Sequence, residues 1–339
     1  MKTPLKMNSA SGKLVSLLHS ESDLLRLGVI TLVILVAMSA VTGGRLLSTA
    51  NFVSMGFQLP ELALLSLAVM LAMLTGGIDL SVVAIANLAG VTAAVLLTET
   101  LSEDASTTTT VLLTGVAAVT ALLTGGVCGV INGLLVSRCQ IPAILTTLGT
   151  MELFTGVTLV ATGGKAVTGM PKLVQEFGNG TLLGMPIPFL MLALIAGTVW
   201  ILSARTPFGL RQRLIGSNPV AAAFSGISVP SILVRTYLIC GILAGMTGLM
   251  MIARTNSAKA NYGSSYLLQA ILVVVLGGVN PAGGFGSVRG LVLAVLSLQF
   301  LASGFNILHF SNFSKEFIWG LFLLSIMILN QLTQQHKRR

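Results

Sequence analysis

TPFGLRQRLIGSNPVAAAFSGISVP, running from Thr206 to Pro230, is a polar stretch set between two apolar runs. A connection of this length inside a compact helical bundle is uncommon and tends to be functional. It reads either as an ordinary polar loop or as a surface built to receive a soluble partner. Its internal order favours the second reading. Asn218 before Pro219 is the cap and first-turn signature of a helix start. Val220, Ala221, Ala222 and Phe224 carry a short helix, and Gly226 stops it. Gly216 precedes the cap, and Arg211 and Arg213 supply charge. A short helix held parallel to a membrane surface would act as a lever on the spans it joins.

The rest of the chain explains why so little polar sequence stands out. Of 339 residues, 54% are hydrophobic and only 9% charged, with a mean hydropathy of +0.93. Soluble domains carry about 25% charged residues. The deficit extends along the whole length and defines a polytopic membrane protein. The apolar runs are continuous and about 17–25 residues long, so the spans are helices and not strands. No soluble catalytic domain fits between them, and residues 1–339 read as one transmembrane domain.

Ten spans are expected, at about 25–42, 60–75, 79–98, 111–136, 142–162, 187–203, 232–253, 267–279, 290–305 and 317–332. The stretch Gly28–Val41 is kept as a span and not a signal peptide, because Glu21 and Asp23 precede it and no clean cleavage site follows. An even number places both termini on one side. With the termini in the cytoplasm, Lys2, Lys6, Lys13, Arg26, Arg138, Arg205, Arg211, Arg213, Arg235, Arg289, Lys337, Arg338 and Arg339 lie inside. Arg45, Lys165, Lys172, Arg254, Lys259 and Lys315 remain outside, which satisfies the positive-inside rule. Residues 1–24 and 333–339 are then cytoplasmic tails, and 206–230 faces the same side. The net charge of +9 follows from this arrangement and does not point to nucleic acid.

Two spans, Pro60–Thr75 and Leu267–Leu276, read as short and end in paired glycines, Gly76-Gly77 and Gly277-Gly278. This suggests a weak internal repeat of the kind transporters are built from. Gly125, Gly129 and Gly133 share one helix face, as do Gly241 and Gly245 with Gly248 nearby. Such faces let helices approach closely, within one subunit or across a seam between subunits.

Several motifs fail on inspection. PAGGFGSVRG, Pro281–Gly290, has the wrong spacing and setting for a dinucleotide fingerprint and reads as a tight turn. ATGGKA, Ala161–Ala166, lacks the leading glycine and the hydroxyl of a Walker A loop. His19, His309 and His336 form no catalytic constellation. Cys128, Cys139 and Cys240 show no metal or disulfide spacing. No cofactor or metal is expected on this chain.

Ionisable residues inside spans are functional suspects because they are costly there. Asp79, in TGGIDLS, either caps the third span or serves as a gate. Glu152, near the middle of the fifth span, is either bonded to Thr147, Thr155 or backbone, or lines a polar path. Glu61 reads as interfacial. Asn87, Gly277 and Gly278 complete the candidates for a pathway or gate. So few internal charges favour a neutral solute over an ion-coupled carboxylate relay.

The chain resembles the membrane permeases of ribose-type ABC importers, which carry sugars and the autoinducer-2 signal. The resemblance spans about Gln58–Leu329 and rests on five segments in order. They are LTGGIDLSV (Leu74–Val82), NGLLV (Asn132–Val136), IPAILTTLGTM (Ile141–Met151), TPFGLRQRLIGSNPVAAAFSGI (Thr206–Ile227) and VVLGGVNPAGGFGSVRG (Val274–Gly290). It implies a bacterial inner-membrane permease working with a cytoplasmic ABC ATPase that binds the ATP. It also implies a periplasmic solute-binding protein, received at the outer loops Gly163–Gly180 and Arg254–Ser265, and a second permease subunit, identical or not. Residues 206–230, with Arg211, Arg213, Gly216, Asn218, Pro219, Ala221, Ala222 and Gly226, would couple to the ATPase. The chain departs from the family pattern in four places. Val220 stands where the family has an acidic residue, and Val83 where it has glycine. The arginine usual after TLGTM is absent beside Glu152, and Leu267 and Gln269 replace acidic residues of the eighth span. An ion-coupled secondary transporter of a small polar solute is the competing reading.

Overall fold

The computed structural model describes the backbone of residues 9–102 and 105–338 and the side chains of residues 24–102 and 105–328. Thirteen helices are present among the described residues. Each expected span coincides with one of them: α1 (Ser9–Val41), α2 (Thr49–Leu74), α3 (Val82–Thr100), α4 (Thr107–Ser137), α5 (Ala143–Thr162), α7 (Ile187–Arg205), α10 (Val229–Thr255), α11 (Ser264–Leu276), α12 (Val288–Ile307) and α13 (Asn312–Arg338). Three short helices lie between spans: α6 (Lys172–Asn179), α8 (Pro207–Ser217) and α9 (Pro219–Phe224). Four two-residue strands form two small ribbons, β1 (Val167–Thr168) with β4 (Ser257–Ala258) and β2 (Thr181–Leu182) with β3 (Met185–Pro186).

Among the described residues, eight of these helices are long and apolar enough to cross a membrane. α11 has 13 residues and spans about 20 Å at the helical rise, short of a hydrocarbon core of about 30 Å. The second span begins at Thr49 and not near 60, with Pro60 inside it. α2 is therefore 26 residues long, and the two spans thought to be short counterparts differ in length by a factor of two. The expected tail 1–24 is helical from Ser9 in one piece with the first span, and the backbone of α13 continues through the basic tail to Arg338.

Burial sorts the helices into layers. α2 is buried continuously from Leu59 to Leu74, and α3, α10 and α12 bury most of their lengths around it. α1, α4, α5 and α7 stand outside and expose Leu32, Leu123, Leu145 and Leu194. Apolar side chains on all faces of a helix are what a lipid-bounded bundle requires.

The glycine faces of α4 and α10 meet within this chain. A Cβ at Gly125 would lie 2.2 Å from the Gly241 carbonyl oxygen, and one at Gly129 would lie 2.1 Å from that of Tyr237. Gly248 continues the contact onto α3, where a Cβ would lie 2.1 Å from the Ala86 oxygen. Tight packing inside one subunit accounts for the glycine spacing.

Two non-helical segments, 75–81 and 277–287, enter the bundle at the same end. Irregular backbone survives there only where protein satisfies its polar groups. Gly284 N–H donates to the Leu74 carbonyl at 3.1 Å, and Asn280 N–H to that of Phe285 at 3.0 Å. The Thr147 hydroxyl on α5 accepts from Leu80 N–H at 3.1 Å. PAGGFGSVRG is thus a pair of tight turns with Gly283 and Gly284 at positive φ, as its sequence suggests.

Candidate functional site

The stretch 206–230 folds into two helices and a bend. Thr206 caps α8 through its hydroxyl, which accepts from Gly209 N–H, and Pro207 takes the first helical position. Thr206-Pro207 is the same start signal as Asn218-Pro219, and α8 is the element that the sequence reading left out. Asn218 Oδ1 accepts from Ala221 N–H at 2.9 Å, and Pro219 opens α9 as expected. Gly226 sits at φ +79 and donates its N–H to Ala223 O, while Ile227 N–H reaches back to Ala222 O. Those paired bonds form a Schellman cap, which a residue with a Cβ closes only under strain.

The unit is anchored from below. Ile215, Ala222 and Ile232 form a small buried cluster under Phe208, Ile227 and Leu233. Gln212 Nε2 donates to the Thr236 hydroxyl at 2.9 Å in the interior, tying α8 to α10. Gly216 is wedged against the 277–287 turn and α2, where a Cβ would lie 2.1 Å from Leu74 O and 2.5 Å from Gly284 N. The upper face is open: Arg211 and Ala221 are exposed, Val220 is 63% exposed and Phe224 90%. Arg213 is half-buried, with a buried Nε that has no hydrogen-bond partner. Burial holds its guanidinium pKa below the usual arginine value.

The candidates for a pathway or gate scatter to different places. Asp79 is fully buried in the break between α2 and α3. It stands two residues before Ser81, the residue that caps α3, and accepts from Ser81 N–H at 3.0 Å and Ser81 Oγ–H at 2.7 Å. Asn132 Nδ2 on α4 donates to the same serine oxygen at 2.7 Å, so a chain of three residues fixes the start of α3. Asp79 Oδ2, Asn132 Oδ1 and the Tyr237 hydroxyl are buried without partners. Asn87 is spent on structure: its amide donates to Ala260 O and Tyr262 O at 2.8 and 2.9 Å. Gly277 lies where a Cβ would come within 2.9 Å of Leu291 Cα, which packs α11 onto α12, and Gly278 turns the chain at φ +80.

Glu152 is exposed on α5, halfway along the helix. The expected bonds to Thr147 and Thr155 are absent among the described residues; Thr147 serves Ile78, Leu80 and Ala143 instead. Gly149 and Gly156, one turn to either side, have open space over their Cα atoms. Glu61 corrects a second expectation. It is 2% exposed and not interfacial, and Arg254 grips it with two bonds of 2.6 and 3.0 Å. The Tyr266 hydroxyl adds a third at 3.0 Å, joining α2, α10 and α11. The sequence separation of Glu61 and Arg254 left no local signal for this pair.

At the end opposite α9, two loops that look independent in sequence form one platform. β1 pairs with β4, Val167 opposite Ala258, and Met170 N–H donates to Asn256 Oδ1 at 2.8 Å. α6 lies on the last turn of α10, with Asn179 Nδ2 donating to Ala253 O at 3.2 Å. No group of His, Cys, Asp and Glu among the described residues is placed to hold a metal ion.

An apolar helix bundle with a capped short helix exposed at one end and a loop platform at the other fits a transport permease. Residues 51–329 match the family described as branched-chain amino acid transport system / permease component, and the chain belongs to that family. It is 34% identical to the ribose import permease protein RbsC of Bacillus subtilis (strain 168), covering 93% of this chain and 95% of that one. Against RbsC of Escherichia coli (strain K12) the identity is 32%, over 90% of this chain and 93% of the relative. It is 30% identical to the autoinducer 2 import system permease protein LsrD of Photorhabdus temperata, over 87% of this chain and 84% of the relative. No solved structure matches the chain. The protein is thus an ABC transporter permease, a multi-pass protein of the bacterial inner membrane.

Proposed function

We propose that this chain is the permease subunit of a binding-protein-dependent ABC importer. It passes a small neutral sugar or sugar-like solute, such as a pentose, a hexose or autoinducer-2, into the cytoplasm. A separate cytoplasmic ATPase drives it, so the chain catalyses no reaction and binds no ATP. The α9 end and both termini face the cytoplasm. The observation that carries this reading is α9: a helix capped at both ends, rooted in the bundle through Gly216 and Gln212, and presenting Phe224 to solvent. Force applied there is transmitted to α2, α10 and the 277–287 turn, which move the bundle between its two open states.

At the other end, the platform of β1, β4 and α6 receives the loaded binding protein. A second permease subunit, identical or not, covers α5. A carboxylate in the middle of an apolar span is costly against lipid. The open space over Gly149 and Gly156, on either side of the exposed Glu152, suits a hydrated path between two subunits. There the carboxylate accepts hydrogen bonds from the hydroxyls of a polyol.

The test is uptake of radiolabelled ribose and autoinducer-2 by cells lacking and regaining the gene, with an intact ATPase partner or one disabled in its phosphate-binding lysine. Uptake that needs this chain and the active ATPase is expected. Uptake that survives the disabled ATPase and collapses with the proton gradient would establish the secondary transporter instead.

A further inference from the structure

The α9 end is assembled from residues 75–81, 137–142, 206–228 and 277–287 with the adjoining helix starts. Its described residues expose Arg138, Arg205, Arg211, Arg235 and Arg289 and half-bury Arg213. Asp79 is the one described carboxylate at this end, and it is wholly buried. From residue 177 to residue 315 the chain contains no Asp or Glu. The positive-inside rule does not explain that gap, because it counts Lys and Arg and is nearly indifferent to acidic residues. The opposite end mixes the signs freely, with Glu99, Glu176 and Glu316 beside Lys165, Lys172 and Lys259.

Arg213 gives the gap a location. Its Nε is buried and unpartnered, and it forms no salt bridge among the described residues. Burying part of a guanidinium without a counter-charge is unfavourable, and no exposed side chain among the described residues of this end can supply one. On α9, the helix that follows, Phe224 is exposed and borders a groove of about 760 Å³ lined by Val136, Ala223, Val229 and Leu233.

Resting on the reading of α9 as the docking element, we propose that the ATPase surface receiving α8 and α9 is acidic. It presents carboxylates to Arg213 and Arg211 around an apolar socket that takes Phe224. Anionic lipid headgroups are the other source of negative charge. Arg205, Arg235 and Arg289 close or open spans and stand where headgroups lie, but Arg211 and Arg213 sit beyond the end of α7, on a helix leading to α9. Recognition by charge also accounts for Val220: an acidic residue there would repel the same surface.

The test uses the assembled permease–ATPase complex in lipid discs, with and without anionic lipid, washed at stepwise rising salt. Wild-type complex is expected to lose the ATPase as salt rises. Arg213→Gln and Arg211→Glu are expected to lower ATPase retention about ten-fold or more at fixed salt, the loss of one charge-assisted hydrogen bond. Arg213→Lys restores part of it, and reversing a carboxylate in the ATPase cleft to lysine rescues Arg211→Glu. Arg211 lies on the surface, so its reversal leaves the fold intact even if changes at Arg213 do not. Unaltered retention in both variants at every salt overturns the proposal, as does an effect seen only with anionic lipid. Cross-linking of Ser225→Cys to the ATPase, in a Cys139→Ser background, separates the two readings. A cross-link insensitive to salt and to both arginines sinks the acidic surface alone. No cross-link from Ser225→Cys with both arginines intact sinks docking through α9 and the acidic surface with it.

Discussion

Buried Glu61 and half-buried Arg254 form a two-pronged ion pair closed by the Tyr266 hydroxyl, and the pair shows how single side chains hold this bundle. Removing one partner of such a pair leaves an uncompensated charge and costs about 3–5 kcal/mol, whereas replacing both is far milder. Arg254→Met is therefore expected to lower the unfolding temperature of the detergent-solubilised protein sharply. Adding Glu61→Met should recover most of the loss, and a double variant as damaged as the single one would contradict this account. The glycines give a second contrast at this scale. Gly129→Ala drives a methyl group against the Tyr237 carbonyl and should cost roughly 1–3 kcal/mol. Gly115→Ala, on the same helix with nothing within 4 Å, should be neutral or stabilising by about 0.5–1 kcal/mol. Parallel melting curves of the two variants decide it.

On the proposed coupling role, α9 is the element on which function turns, and its ends are its weak points. Gly226→Pro cannot adopt φ +79 and deletes the N–H bonded to Ala223 O, so the Schellman cap is lost. Uptake is expected to fall to background while the amount of protein in the membrane stays normal, as read by immunoblot of membrane fractions. Loss of the protein itself would place Gly226 in folding and not in coupling. The caps of α9 were legible in the sequence because capping is local: Asn218, Pro219 and Gly226 act on neighbours within four residues. α8 carries the same Thr-Pro signal at Thr206 and Pro207 but was masked by its mixed polarity. Span positions were legible because lipid demands long apolar runs, yet the start of α2 was not, since Ser48 and Thr49 look like loop and Pro60 like a boundary. Glu61, Asn132 and Gln212 were beyond reach for another reason. Their partners lie on other helices, and no periodicity within one helix records which neighbour a polar atom will meet.

At the scale of the whole molecule, the layers divide the labour. The central helices are fixed by glycine contacts and the Glu61–Arg254 ion pair, while α5, on the outside, carries an exposed carboxylate that no described residue satisfies. If α5 faced lipid, Glu152→Leu would relieve an insertion penalty of about 2.5–3.5 kcal/mol, raise stability and leave uptake unaltered. If α5 lines a hydrated path between two permease subunits, the same substitution removes an acceptor for solute hydroxyls and makes the path greasy. We expect the second result: uptake with Glu152→Leu falls at least about ten-fold, the worth of one hydrogen bond to a charged group. Glu152→Gln, which keeps an acceptor without the charge, should retain more activity, with its loss concentrated in apparent affinity. Transport assays at several solute concentrations, run beside melting curves of the same variants, separate the two outcomes. A more stable Glu152→Leu protein with full uptake would move the path away from α5 and return that face to the lipid.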